Sequence, residues 1–177
     1  MSTSGWPRDL FGRYVSHTHE ILPPNSMMAA GLPDPKDDGT LVALALVART
    51  CAFLGDSARA RPLYETLRPC ARNNTCNGNE ASFGSMSRYL GLLAATMSRW
   101  DAAARHFEDA LELNTRWGAR PWTALTQHDY AKMLLARNNP SDRQKAFTLL
   151  ADALETSREL WMTRQSDRVS EARAMAS

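Results

Sequence analysis

Residues 88–113 read RYLGLLAATMSRWDAAARHFEDALEL, and this stretch sets the architecture. It divides into two helices around Ser98, Arg99 and Trp100. Tyr89, Leu90, Leu92, Leu93 and Met97 supply the apolar face of the first. Ala103, Phe107, Ala110 and Leu111 supply that of the second. Apolar residues three and four apart make one buried stripe per helix. Near-copies of the turn and second helix flank this unit: GDSARARPLYETL from Gly55 and SDRQKAFTLLADAL from Ser141. A small residue recurs every 43 positions, at Ala60, Ala103 and Ala146. Four residues on comes a bulky apolar side chain, Tyr64, Phe107 or Leu150, and three further Leu67, Ala110 or Ala153. Small residues let crossing helices approach, and the bulky residue one turn later fills the gap between them. A helix pair cannot bury its apolar stripe alone, so such units stack. The small residues Ala48, Gly91 and Ala131 fall in the middle of the first helices. The sequence therefore predicts an all-α, tetratricopeptide-like right-handed solenoid of about three long helix pairs, with an N-terminal arm and a C-terminal capping helix. The usual tetratricopeptide period is about 34 residues; the excess here implies longer helices and loops.

Composition narrows the function classes. The chain has 177 residues, enough for one domain with a real core. Apolar content of 44% beside 23% charged residues fits a soluble globular protein. A net charge of +2 gives no argument for nucleic acid. The longest apolar run, Leu41 to Ala48, is too short to cross a bilayer, and no signal-peptide pattern opens the chain. Three cysteines fit a reducing compartment, so the expected location is cytoplasmic. Cys51 reads as a packing residue, whereas Cys70 and Cys76 flank a loop that oxidation could bridge.

Prolines at 7, 23, 24, 33 and 35 set residues 1–38 apart as an irregular arm, with a short helix from about Asp9 to Ile21. Met27 and Met28 belong to its loop. Residues 39–177 form the repeat domain. Asp38 or Thr40 caps its first helix, Gly55 ends it, and Asp56 or Ser57 caps the partner. NNTCNGNE, residues 73–80, reads as a polar loop turning at Asn77-Gly78. Asn138, Asn139 and Pro140 lengthen the third turn. A last helix near Arg164 to Ala174, poor in large apolar residues, suits a polar terminal cap.

LVARTCAFLGDSARARPLYETLRPCARN, GSMSRYLGLLAATMSRWDAAARHFEDALELNTRWGARPW and TQHDYAKMLLAR together resemble the C-terminal tetratricopeptide-like region of large bacterial ATP-binding signalling proteins. Those proteins join an AAA-type ATPase to a nucleotide-cyclase or LuxR-type domain. The resemblance spans roughly residues 40–160 and implies a sensing or protein-docking module. Where the family pattern continues Glu-Leu-Gly-Met, this chain has Glu159, Leu160, Trp161 and Met162, which implies a differently packed cap. The chain has no Walker A loop, no cyclase domain and no evident DNA-reading helix-turn-helix. It reads either as a freestanding protein without those enzymatic partners or as a fragment.

First helices line the concave groove of a tetratricopeptide stack. The groove positions expected to be exposed are Arg49, Arg88, and His128 with Lys132, beside Ala45, Leu92 and Leu125. Cations above an apolar floor suit a carboxylate or phosphate, such as an acidic peptide or a chain terminus. These charges could instead be solvated, or paired internally with Asp129 or Glu80. Trp117 and Trp122 either rim the groove or pack; Trp100 packs at a turn. His106 reads as packed or hydrogen-bonded.

HTHE at 17–20 carries two histidines, but no further ligand set follows, so neither a metal nor a cofactor is expected. His128 and Asp129 are adjacent and, on a helix, point apart. No nucleophile and base are marked as a pair. The leading reading is a non-catalytic module that docks a peptide, partner protein or acidic ligand, without nucleic acid or membrane. The alternative is a small-molecule-binding protein or enzyme of a specialised biosynthetic pathway, with the groove as its pocket. Self-association as a homodimer is compatible with both.

Overall fold

The computed structural model describes residue 35, residues 38–78 and residues 81–176. The short helix expected at 9–21, the HTHE cluster, Met27, Met28 and Glu80 fall outside the described residues. The helices are α1 (Asp38–Leu54), α2 (Ser57–Leu67), α3 (Met86–Thr96), α4 (Trp100–Arg116), α5 (Arg120–Arg137), α6 (Asp142–Glu159) and α7 (Thr163–Ala176). A 3-10 turn, Arg68–Cys70, follows α2. Tight turns fold consecutive helices back on one another. α1 packs on α2 and α3, α3 on α4 and α5, and α5 on α6 and α7. The described chain is thus mostly helical.

The apolar triads read from the sequence form its core. Ala60, Tyr64 and Leu67, then Ala103, Phe107 and Ala110, then Ala146, Leu150 and Ala153 are all buried. A Cβ on Gly91 would meet the Phe107 ring at 3.0 Å, so glycine permits the close crossing of α3 and α4. Phe107 in turn stacks on Tyr130 of α5, with ring centroids 5.4 Å apart.

The period of 43 extends to the backbone of the turns. Asp56 N–H donates to the Cys51 carbonyl, and Arg99 N–H to that of Ala94. After the second helices, Ala119 N–H donates to Asn114 and Met162 N–H to Ser157. Gly55 (φ +67°) and Ser98 (φ +56°) are one left-handed pair at this spacing; Gly118 (φ +65°) and Trp161 (φ +56°) are another. Such turns satisfy carbonyls left unpaired at a helix end. The third inner turn differs, bending at Asn138 (φ +54°), in keeping with its expected extra length.

Two sequence expectations for the ends of elements are met in detail. Asp56 caps α2, its carboxylate accepting from Arg59 N–H at 3.0 Å. α7 begins one period after α5, burying Val169 where α5 buries Thr126. His128 and Tyr130 of α5 are replaced one period on by the exposed Glu171 and Arg173, giving α7 a polar outer side.

The stretch read as a polar loop is instead part of a hairpin. β1 (Asn74–Asn77) pairs antiparallel with β2 (Ala81–Ser85), in the register Asn74 with Ser85, Cys76 with Ser82 and Asn77 with Ala81. Gly78 lies beyond β1 at φ +55°. The hairpin is held from α4 and closed at its own base. Ser85 N–H donates to Asn114 Oδ1 at 3.0 Å, and Met86 N–H to the Asn73 carbonyl at 3.0 Å. Asn114 is fully buried and also donates through Nδ2 to Thr126 Oγ1 at 3.2 Å.

Candidate binding surface

Two of the expected groove residues, Arg88 and His128, meet at one acidic side chain, Asp129. α3 carries Arg88, and α5 carries Trp122, His128, Asp129 and Lys132. Arg88 is not an exposed groove cation: its side chain is 5% exposed and its guanidinium is committed to Asp129. Nε and Nη2 both donate to Asp129 Oδ2, at 2.9 and 2.6 Å. The guanidinium carbon lies 5.4 Å from the centre of the Tyr89 ring and 5.9 Å from that of Trp122. Nη1 is buried without a hydrogen-bond partner.

His128 is likewise buried rather than exposed. Its Nδ1 lies 3.5 Å from Asp129 Oδ1, so these neighbours converge although adjacent helical positions point apart. Burial alone would raise the Asp129 carboxyl. The Arg88 charge and His128 outweigh it and hold the group down at about 2. The internal pairing with Asp129, one of the alternatives the sequence leaves open, is the arrangement found.

Trp122 is half-buried, packed under the hairpin. A Cβ on Gly84, where φ is +81°, would come within 2.9 Å of it, and Phe83 lies 6.1 Å away ring to ring. Tyr89 O–H donates to the Phe83 carbonyl at 2.9 Å. Burial pushes the Tyr89 phenol up, opposed by the nearby charges of Arg88 and Arg49. Arg49 and Lys132 are exposed, while Leu92 and Leu125 are half-buried; Ala45 is buried and offers no floor. Of the expected cations, two remain available to a ligand.

Other titratable side chains are tied into neighbouring elements. Cys51 donates its thiol to the Asp56 carbonyl at 3.0 Å, and burial pushes its pKa up, the opposite of an activated nucleophile. His106 Nε2 lies 2.9 Å from Tyr64 Oη, joining α4 to α2 as a hydrogen-bonded packing residue. Lys145, Tyr130 and Glu108 join α6, α5 and α4, with Lys145 Nζ 2.8 Å from Glu108 Oε1. A cavity of about 490 Å³ sits at the turns, lined among others by Arg99, Arg105 and Arg137. It contains no histidine or cysteine, and Arg137 is bound bidentately by Asp142 at 2.6 and 2.7 Å. Among the described residues, no three His, Cys, Asp or Glu side chains cluster to hold a metal, and no helix is long and apolar enough to cross a membrane.

Sequence reasoning did not single out Asn114 or Gly84, because each matters through a partner far along the chain. Asp129 was visible as one of two possible counterions and as the neighbour of His128, from which helical spacing was expected to turn it away. Comparison with protein-family models, curated proteins and solved structures finds no match to this chain.

Proposed function

We propose that the chain is a tetratricopeptide-like right-handed solenoid of three helix pairs closed by α7, and that it is a non-catalytic binding module. It docks an acidic peptide segment of a partner protein along its first helices. The reading rests on one observation above the rest. Arg49 and Lys132 remain exposed on α1 and α5, and Leu92 and Leu125 are half-buried on α3 and α5, while Arg88 is already neutralised by Asp129. Two exposed cations over apolar side chains suit carboxylates on a flexible segment. The buried Arg88–Asp129 pair fixes α3 against α5 and so keeps that surface rigid. The 43-residue copies of core and turns support the solenoid. The likeness to the helical region of ATP-binding signalling proteins supports a bacterial, cytoplasmic, regulatory setting.

The test is peptide-display selection on the whole chain, followed by calorimetry with the selected peptides. Acidic sequences should be enriched and bind in a salt-sensitive manner. Arg49→Glu with Lys132→Glu should abolish binding while the circular dichroism spectrum and unfolding midpoint hold. Selection of uncharged sequences, or binding unchanged in the double variant, would overturn the reading.

A further inference from the structure

The cavity of about 490 Å³ lies between the α3–α4 turn and the α5–α6 turn, and its lining is cationic. Arg99 and Arg105 reach it from the cap and second turn of α4, and Arg137 from the end of α5. Arg105 is exposed and has no counterion among the described residues. Arg99 lies over the Tyr64 ring, and the nearby Glu65 carboxylate is 3.9 Å away, beyond hydrogen-bond reach. Arg137 gives Nε and Nη2 to Asp142, which leaves Nη1 with a long contact of 3.4 Å to Asp101. Asp101 is the single acid in the lining, and at 88% exposure its charge is screened by water. The 43-residue period shows what this turn lacks. Where the second helix begins, the three copies carry Asp56, Arg99 and Asp142. Asp56 pairs with Arg59 and Asp142 with Arg137, so in the outer copies a carboxylate at this position holds an arginine. The middle copy places an arginine there instead. α4 accordingly has no side-chain cap, and the N–H groups of Trp100, Asp101 and Ala102 find no acceptor among the described residues.

We infer that this cavity is a phosphate site, which binds the dianionic phosphoryl group of phosphate or of a small phosphate monoester. The ligand supplies the negative charge that Asp56 and Asp142 supply in the flanking copies. A guanidinium donates in a planar fork that matches phosphate oxygens. Three such groups, from α4 and α5, suit a tetrahedral group with several acceptor oxygens better than a carboxylate with two. The unpaired N–H groups of α4 add donors of the same sense. The volume falls within the range of about 300–1,000 Å³ usual for small-molecule sites. An ester substituent therefore has room beside the phosphoryl group, and the half-buried Trp100 gives it an apolar wall. Neither Arg49 nor Lys132 lines the cavity, so it is separate from the peptide surface proposed above.

The experiment is an NMR titration of the isotope-labelled full chain with inorganic phosphate, phenyl phosphate and, as a monovalent control, acetate. It is run above about pH 7, where phosphate is largely dianionic. Both phosphates should shift the Trp100, Asp101 and Ala102 amides saturably, with a Kd on the order of 1 mM or below, and acetate should not. Tighter binding of phenyl phosphate identifies the ester as the ligand, and equal affinity identifies the free ion; either supports the phosphate site. Arg105→Gln and Arg99→Gln should each weaken binding about tenfold. Arg116→Gln, exposed on the same helix outside the lining, should leave it unchanged. Shifts that never saturate, acetate binding as well as phosphate, or equal losses in Arg105→Gln and Arg116→Gln would overturn the inference. Arg49→Glu with Lys132→Glu should bind phosphate as the wild type does, so failure here and failure of the peptide surface are told apart.

Discussion

Replacing Asp129 with asparagine should be among the most damaging single changes in the chain. Its side chain is 13% exposed and that of Arg88 5%, so the ion pair is largely shielded from water. The neutral amide would leave the Arg88 charge buried without a counterion. Breaking one side of such a pair costs about 3–5 kcal/mol, a large fraction of the roughly 5–15 kcal/mol that holds a domain folded. The proton linkage gives a second figure. The Asp129 carboxyl titrates at about 2 in the folded chain against an ordinary 3.8. Each pKa unit is worth about 1.4 kcal/mol, so the shift corresponds to about 2 kcal/mol at neutral pH. Because the folded pKa is the lower, this stabilisation is present above about pH 4 and is lost as pH falls towards 2. Urea unfolding followed by circular dichroism at pH 7 would measure Asp129→Asn, Arg88→Met and the double variant. The double variant should be less destabilised than the two singles combined, with a coupling of about 2 kcal/mol or more. The acid-dependent loss attributable to residue 129 should vanish in Asp129→Asn. Additivity to within about 0.5 kcal/mol would refute the buried pair as a stabilising unit.

Three further outcomes follow from particular residues. Trp161 occupies, one period after Gly118, a left-handed turn position at φ +56° and is 90% exposed. Trp161→Gly should raise stability by about 0.5–1 kcal/mol in the same urea assay, and a loss would show that the indole has a partner that matters. Gly91→Ala should lower stability by about 1–3 kcal/mol, read as a fall in thermal midpoint, since its methyl would press on Phe107; an unchanged midpoint would mean the crossing can widen freely. His106 has its pKa lowered, chiefly by burial, with Asp109 opposing and Arg105 and Arg99 adding to the effect. Its stabilising contribution is therefore complete above its ordinary pKa of about 6.5 and declines as pH falls below it. The stability slope between pH 6.5 and 5 should be shallower in His106→Gln, and identical slopes would remove His106 as its source.

Much of the helical framework was legible because it is written in local spacing. Ala60, Ala103 and Ala146, with the bulky residues one turn on, mark buried stripes through side-chain size and helical period alone. Gly55 and Gly118 mark turns through backbone freedom. Groove exposure was not legible in the same way. Which side of α3 and α5 meets water depends on how those helices cross, and a cation looks alike in sequence whether solvated or paired.

The sequence by itself determined the period of 43, the apolar triads, the helix boundaries and the polar last helix, since each depends on residues a few positions apart. Only the tertiary structure decided that Arg88 and His128 lie inside. The counterion of Arg88, Asp129, comes from a helix 41 residues on, and burying a charge is favourable only where that partner arrives. It also decided that residues 74–77 and 81–85 pair as strands. Their polar sequence carries little strand signal of its own, and Asn114 and Trp122 hold the hairpin from α4 and α5.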